Sequence, residues 1–159
     1  MYKSLRFMAA VSTTACVLST AAASTASAAM TASLGAPSLS ARVAVNVPVT
    51  VSCDPFDPSL TLVEGGAFLT VEQASGSSIA HGSNFSGGFV PDVPFVCDSA
   101  PHKFTATVVA DTSGPPFHGG SAIISGSASA GAGIDFGGGG FQTIASQVAA
   151  IAPVEVKLH

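Results

Sequence analysis

The chain of 159 residues contains no tryptophan, and its single tyrosine is Tyr2. Sugar-binding sites commonly stack the sugar on tryptophan and tyrosine rings, so carbohydrate binding and glycoside cleavage of that kind are disfavoured. Basic residues are also scarce, with five Lys and Arg against nine Asp and Glu. Because affinity for nucleic acid depends on neutralising phosphates with Lys and Arg, the composition predicts no nucleic-acid partner, and it disfavours anionic membranes for the same reason.

Motifs of catalytic and metal sites are missing as well. The nucleophile motif G-x-S-x-G does not occur, and the glycines at 137–140 are not followed by the Lys-Ser/Thr pair of a phosphate-binding loop. Asp54 and Asp57 lie in D-P-F-D-P, which lacks the other ligands of a calcium loop. We expect no enzyme activity, no cofactor and no metal site, although a serine, a histidine and an aspartate distant in sequence could still form a hydrolase triad.

The start of the chain has the three parts of a secretory signal peptide. Lys3 and Arg6 give a positive start, an apolar run follows, and small residues lead to the cleavage pattern Ala26-Ser27-Ala28. The apolar run is too short and too rich in threonine for a membrane span, which needs about 20 apolar residues. Cleavage there releases a secreted, extracellular protein that begins at Ala29 and has no membrane attachment. Cleavage one residue later and acylation at Cys16 are the alternatives.

Two cysteines, Cys53 and Cys97, remain after this cleavage. An exported protein meets an oxidising environment, so we predict that they form a disulfide. The chain is rich in Ala, Ser, Thr and Gly, and such small residues bury little apolar area each. A bridge that closes a loop of about 45 residues stabilises such a thin core by roughly 4 kcal/mol in the loop-entropy treatment.

The histidines lack the spacing of zinc ligands. His81 and His118 stand beside glycines without an H-x-x-x-H partner, and His159 is the last residue. His102 lies in a short turn after the second bridging cysteine. We interpret it as a turn histidine that hydrogen-bonds the backbone beside the disulfide; the alternative is a metal ligand or a base assisted by Asp98.

Alternation of apolar and polar residues is the main signal for secondary structure. In R-V-A-V-N-V-P-V-T-V-S-C, residues 42–53, valine or cysteine occupies every odd position, which places one face of a strand in the core. Shorter alternating runs follow, separated by Gly, Pro and Ser turn signals. They predict an all-β protein, an antiparallel immunoglobulin-like β-sandwich of about 7–8 strands over residues 41–159, after a signal peptide at 1–28 and a flexible leader at 29–40.

Four segments carry more specific expectations. Pro48 has no N–H to donate, so we expect an edge, a bulge or a break there that splits the run into two strands; a break would also let the chain cross between sheets. Val93–Cys97 reads as a short strand that ends on cysteine. Gly131–Gly140 is expected to be a mobile loop. Phe141–Ala152 has apolar spacing that fits a helix or a strand, and we favour the strand because its surroundings are β.

The runs V-x-V-S-C-D, L-T-V-E-Q, V-C-D-S-A-P-H-K-F-T-A-T-V and G-G-S-A resemble a type of uncharacterised domain in secreted actinobacterial proteins. The resemblance covers Val43 to about Ala130 and lies in the spacing of the cysteines, His102 and Phe104. It implies export and an immunoglobulin-like sandwich, and no activity. Antibody domains also carry a core tryptophan and a tyrosine two residues before the second cysteine, where this chain has Phe95.

Five phenylalanines near glycine-rich loops are candidates for a ligand or partner surface: Phe85, Phe89, Phe117, Phe136 and Phe141. If they are exposed together they mark a binding surface; burial in the core is the expectation we favour. The sequence indicates a secreted structural or protein-interaction module without catalytic activity, a monomer whose partner is an unknown extracellular protein or cell-surface component. A carrier of an apolar small molecule in a Phe-lined cleft and a hydrolase with a spatially assembled triad are the alternatives.

We predict that the exported protein begins at Ala29 and contains the Cys53–Cys97 disulfide. Its intact mass, measured on medium and cells together, should be about two daltons below that of the reduced chain, because two thiol hydrogens are lost. A mass that still includes residues 1–28, or an acyl group on Cys16, would contradict this processing. An added mass that survives native ionisation would favour the carrier.

Overall fold

The computed structural model describes residues 29–137 and 140–159. This part of the chain forms eight β-strands in two antiparallel sheets, and no helix long and apolar enough to cross a membrane occurs in it. The all-β, two-sheet architecture expected from the alternation is confirmed, whereas the signal peptide expected at 1–28 lies outside the described residues. The strands are β1 (Met30–Leu34), β2 (Ser38–Ser40), β3 (Ala44–Cys53), β4 (Thr61–Ser75), β5 (Ser78–Phe89), β6 (His102–Val109), β7 (Gly120–Gly137) and β8 (Gly140–Leu158).

Sheet A is built around β3. β1 and β2 pair end to end with the two halves of β3 along one side, and β6 pairs with it along the other. Sheet B has the order β5-β4-β7-β8, and every neighbouring pair is antiparallel. Side chains that point inward from both sheets form one core cluster, as in a β-sandwich.

The alternation in β3 places one of its faces entirely inside the protein. Its odd-numbered residues are 0–1% exposed: Val45, Val47, Val49, Val51 and Cys53. They belong to the same core cluster as Leu69 of β4, Val108 of β6 and Ile124 of β7. Burying a valine side chain is worth about 2 kcal/mol, so this single strand supplies a large share of the apolar stabilisation.

β3 is not split at Pro48, and the expected break there is wrong. In an antiparallel strand the N and C=O of one residue point to the same side, and the Pro48 carbonyl accepts a hydrogen bond from Gly35 N at 2.7 Å. Gly35 lies between β1 and β2, so the missing N–H of Pro48 falls where the neighbouring strand is already interrupted. The interruption therefore lies between β1 and β2, and β3 stays in one sheet throughout.

The segment expected to be a flexible leader, 29–40, holds two strands instead. β1 pairs with Val49–Cys53 and β2 with Ala44–Asn46. Without them β3 would expose a long edge of unpaired backbone groups next to the core. Their apolar residues also pack against that core: Met30, Ala32, Leu34 and Leu39.

β7 and β8 form a long hairpin that takes in most of the segment expected to be a mobile loop. β7 continues to Gly137 and β8 begins at Gly140, with the two residues between them outside the description. Glycine is required here by close approach of the strands, since a Cβ at Gly133 would collide with the carbonyl oxygen of Gln142. The strand favoured for 141–152 is confirmed, because that whole segment lies in β8.

Two glutamines point into the core, and their hydrogen bonding differs. Gln73 of β4 is 2% exposed; its Oε1 accepts from His118 N at 2.8 Å, and its Nε2 donates to His118 O at 2.8 Å and Ser121 O at 3.3 Å. Gln147 of β8 donates from Nε2 to Asp54 O at 2.8 Å, and its buried Oε1 has no partner among the described residues. Gln73 therefore links the loop before β7 to sheet B, and both its Nε2 and its Oε1 are hydrogen-bonded. Gln147 links β8 to the end of β3 through its Nε2 alone.

Replacing Gln73 with leucine should destabilise the protein by about 2–4 kcal/mol, because the backbone groups of His118 lose their partners inside the fold. Gln147→Leu is the matched control: it removes one hydrogen bond together with a buried acceptor that has no partner, and should cost about 1 kcal/mol or less. Urea unfolding of both variants measures the difference. Equal losses from the two leucines would contradict the role given to Gln73.

Candidate functional site

The two sheets present different outer faces. The outer face of sheet A carries mainly hydroxyl and amide groups and one lysine, with Val109 at its end as an exception: Thr31, Ser33, Asn46, Thr50, Ser52, Lys103, Thr105 and Thr107. The outer face of sheet B exposes large apolar side chains: Phe68, Ile79, Phe85, Phe89, Ile123 and Val148. The water-facing side of an antiparallel sheet is usually polar, so large apolar side chains concentrated on one of two outer faces indicate a contact surface.

One end of the sheet B face carries what we call the aromatic patch, with the exposed fraction of each side chain in parentheses: Phe68 (45%), Phe85 (47%), Phe89 (53%), Phe141 (36%) and Val148 (65%). Phe68 and Phe85 lie opposite each other in the β4–β5 ladder. The rings of Phe89 and Phe141 are in contact, with centroids 4.7 Å apart and planes at 45°. β5 and β8 are the two edges of sheet B, so this contact joins side chains of its two edge strands.

Small residues form the floor of the aromatic patch. Gly66 and Gly87 face each other across the β4–β5 ladder, and a Cβ on Gly66 would collide with the ring of Phe85. Ser129 continues the row onto β7. The Phe85 ring can therefore lie against the backbone, and a depression of about 70 Å³ lies beside it and Phe89.

The structure separates the five phenylalanines proposed from the sequence. Phe85, Phe89 and Phe141 belong to the aromatic patch, and Phe136 is 67% exposed near the end of β7. The favoured expectation of burial is wrong for these four. Phe117 is 0% exposed, so it is removed from the candidate surface; its ring enters the core beside β5, where a glycine, Gly82, leaves space for it.

Two members of the aromatic patch were not among the sequence candidates. Phe68 stands out of phase with the inward Ala67 and Leu69, so the alternation of β4 already indicates that it faces outward. Val148 also faces outward, but its inward neighbours are Gln147 and Ala149, and this weakly apolar pair hides the phase of the strand. The sequence alternation therefore indicates the outward orientation of Phe68 clearly and that of Val148 only weakly.

The histidines form carboxylate pairs and backbone contacts. His81 Nδ1 is 2.7 Å from Asp111 Oδ2, and His102 Nε2 is 2.8 Å from Asp98 Oδ1, so His102 bonds a carboxylate rather than the backbone. His118 directs both ring nitrogens at backbone carbonyls. Within the described residues no serine hydroxyl is hydrogen-bonded to these rings, and no group of three or more potential metal ligands occurs.

The disulfide predicted between Cys53 and Cys97 is present. It joins the end of β3 to the segment that leads into β6, its neighbour in sheet A. That segment, Val93–Cys97, is irregular rather than the expected strand, yet Phe95 within it is 4% exposed and belongs to the core. The bridge therefore reinforces one end of sheet A.

The turn that follows Cys97 is held by Asp98. Asp98 Oδ1 lies 2.8 Å from His102 Nε2 and accepts a hydrogen bond from Ala100 N at 2.9 Å. The bond with His102, followed by that from the Ala100 N–H, lowers the pKa of the Asp98 carboxyl from its ordinary value of 3.8. Ser99 N in the same turn donates to Cys53 O at 2.9 Å, which fastens the turn to β3.

Comparison with protein-family models, curated proteins and solved structures finds no match for this chain. Its function is therefore argued from the geometry of its own residues. Among the features above, the aromatic patch is the one that most needs an explanation, because each exposed ring leaves apolar surface in contact with water.

Asp98→Asn should lower the thermal midpoint at pH 5–7 and have little effect near pH 2. The ionised carboxylate stabilises the folded state because its folded pKa is lowered; that contribution is present above the unfolded pKa and is lost as pH falls through the folded value. Thermal unfolding of the variant and the parent between pH 2 and 7 tests this, and the two curves should converge in acid.

Asp92→Asn is the charge-matched control, since no hydrogen bond to the Asp92 side chain occurs among the described residues. It should leave the midpoint nearly unchanged. A difference between parent and Asp98→Asn that persists at pH 2, or one that Asp92→Asn reproduces, would show that the hydrogen bonds of Asp98 are not its cause.

Proposed function

We propose that this chain is an exported, non-catalytic binding module, acting as a monomer, that contacts an extracellular protein or cell-surface component through the outer face of sheet B. The aromatic patch carries the proposal, since five large apolar side chains are exposed together on one face. The Cys53–Cys97 disulfide is compatible with an oxidising, extracellular location.

The aromatic patch has the properties of a protein-contact surface. The centres of protein interfaces are enriched in aromatic side chains and surrounded by a polar rim. Here Glu64 and Thr143 provide a polar edge, with Thr143 Oγ1 donating to Glu64 Oε1 at 3.0 Å. The mutual contact of Phe89 and Phe141 and the glycine floor under Phe85 restrict the rings before any partner arrives. Pre-ordered side chains lose less entropy on binding, which favours affinity.

The proposal includes an immunoglobulin-like arrangement of the sandwich. The orders β1-β3-β6 and β5-β4-β7-β8 correspond to strands A, B and E opposite strands C′, C, F and G of that class. The bridge departs from antibody domains, in which the conserved disulfide joins the two sheets, because Cys97 here precedes a neighbour of β3 in the same sheet. The strand order supports the class, and the bridge distinguishes this chain within it.

The geometry gives less support to the two other functions. The carrier expected from the sequence needs a cleft lined by phenylalanines, and small-molecule sites commonly measure about 300 Å³ or more. The depression between Phe85 and Phe89 measures about 70 Å³, and no phenylalanine lines the larger depression at the other end of the face. A hydrolase triad needs a histidine bonded to a serine hydroxyl. Among the described residues, the rings of His81 and His102 bond carboxylates instead.

A photo-reactive phenylalanine analogue at position 85 should form covalent adducts with one partner when the exported protein is illuminated on the surface of the organism that makes it. The analogue preserves the aromatic contact and reports only on molecules that touch the patch. The same analogue at Thr105, an exposed position on the outer face of sheet A, is the matched control and should give no such adduct.

Adducts from both positions would indicate non-specific contact. Adducts from Thr105 alone would place the partner-binding surface on sheet A instead of sheet B. Substitution of both Phe68 and Phe89 by serine should abolish the adduct at position 85 while leaving the fold intact, because these side chains are about half exposed. An adduct that survives this substitution would contradict the role of the patch.

A further inference from the structure

A second apolar depression lies at the other end of the sheet B face, away from the aromatic patch. This depression, which we call the groove, has a volume of about 430 Å³. Ala74, Ile79, Ile123 and Pro153 contribute its apolar lining, and Glu72 and Glu155 contribute carboxylates. Ile79 is 62% exposed and Ile123 is 46% exposed, so both side chains present apolar surface to the groove and leave it open.

The strand register sets the shape of the groove. Glu72 of β4 pairs with Ile123 of β7, and Ile123 pairs with Glu155 of β8, so the two glutamates flank one isoleucine. Neighbouring strands are about 4.8 Å apart, which puts the backbones of the two glutamates about 10 Å from each other. Pro153 lies where the β7–β8 register shifts, at a bulge in β8.

The carboxylates at the groove are not held in ion pairs among the described residues. Neither Glu72 nor Glu155 makes an ion pair or a side-chain hydrogen bond within the described residues. His81 lies opposite Glu72 in the β4–β5 ladder, but its ring is bonded to Asp111. Lys157, two residues beyond Glu155, is the basic side chain closest to it along β8.

We propose that the groove binds a small organic cation, a protonated amine attached to an apolar chain. The apolar chain lies on Ile79 and Ile123, and the ammonium lies between the two carboxylates. A neutral apolar ligand would desolvate the carboxylates without pairing them, an anion would be repelled, and an inorganic cation would gain nothing from the isoleucines. The volume falls within the about 300–1,000 Å³ of small-molecule sites.

This site is separate from the surface under the proposed function. The hydroxyl residues Thr70, Ser83 and Ser125 form a row of the sheet B face between the aromatic patch and the groove. Loss of ligand binding at the groove would therefore leave protein contact at the patch unaffected, and the two can be tested independently.

Hexylamine and 1-hexanol, titrated into the protein with its disulfide intact, test the proposal by backbone amide NMR. Hexylamine should saturate one site and shift the amides of Ile79 and Ile123, and salt should weaken it because exposed charge pairs are screened. Hexanol has the same chain without the charge and should bind about fivefold more weakly.

Glu72→Gln with Glu155→Gln should weaken hexylamine binding about fivefold, and Lys157→Gln should strengthen it about twofold by removing a repelling charge. Asp92→Asn, which removes an exposed carboxylate outside the groove, is the matched control and should change nothing. Exposed glutamates on a strand surface can be replaced by glutamine without loss of the fold, which the amide spectrum itself reports.

Three results would overturn the assignment. Hexanol could bind as tightly as hexylamine, or the double variant could bind as tightly as the parent, and either would remove the role of the carboxylates. No saturable shift at Ile79 and Ile123 would remove the site. Tighter binding of N-acetyl-lysine methylamide than of hexylamine would assign the groove to a lysine side chain of a protein partner instead.

Discussion

The packing of the valine face of β3 against sheet B is the interaction on which the rest of the structure depends. Every other strand of sheet A hydrogen-bonds to β3, and the disulfide closes its end. Opposite its valines, sheet B supplies mainly small side chains, including Ala67, Ala128 and Ala130, all 0–1% exposed. Because protein interiors are close-packed, facing valine and alanine side chains leave little volume for an aromatic ring between them.

This thin core explains where the phenylalanines lie. Buried rings are found in the segments that connect strands: Phe95 precedes β6 and Phe117 precedes β7. Rings carried by strands of sheet B face outward, as Phe68 and Phe85 do. In sheet A the ring of Phe104 on β6 packs against the core, beside Phe95 with ring centroids 6.1 Å apart. The surface that we propose for binding therefore follows from the composition of sheet B, which packs mainly small side chains inward and carries its rings on its outer face.

The sequence could predict those parts of the structure that depend on local pattern and composition. The period of two in β3 and the two cysteines that remain after the expected signal-peptide cleavage are local or compositional signals, and they predicted the buried face and the disulfide. β2 has only three residues, and its existence depends on the free edge of β3, which local pattern does not reveal. β3 was expected to be interrupted at Pro48, because proline cannot donate a hydrogen bond to a neighbouring strand. The gap lies between the neighbouring strands β1 and β2 instead, and this depends on tertiary pairing that the sequence does not reveal. Phe117 sits in a loop without periodicity, so its burial follows only from how that loop closes the sandwich.

The edges of sheet B decide how a partner can bind. Strand addition needs a free edge of backbone groups. On the β5 side, Asp111 N donates to His81 O at 2.8 Å and Asn84 Nδ2 donates to Thr107 O at 2.7 Å, which ties this edge to β6 and the turn after it. On the β8 side, the Gln147 bond to the end of β3 and the bond from Leu39 N to His159 O at 2.8 Å tie the edge to sheet A.

With both edges of sheet B fastened to sheet A at these points, its outer face is the part of that sheet most open to a partner. A partner bound to this face would therefore be recognised by side chains rather than by backbone pairing. Side-chain recognition depends on which groups the face presents, and this face presents aromatic rings at one end and isoleucine between two carboxylates at the other. On our proposal, this face selects partners that offer apolar surface to the rings or a positive charge to the carboxylates. The strands of sheet A present neither rings nor carboxylates on their outer face.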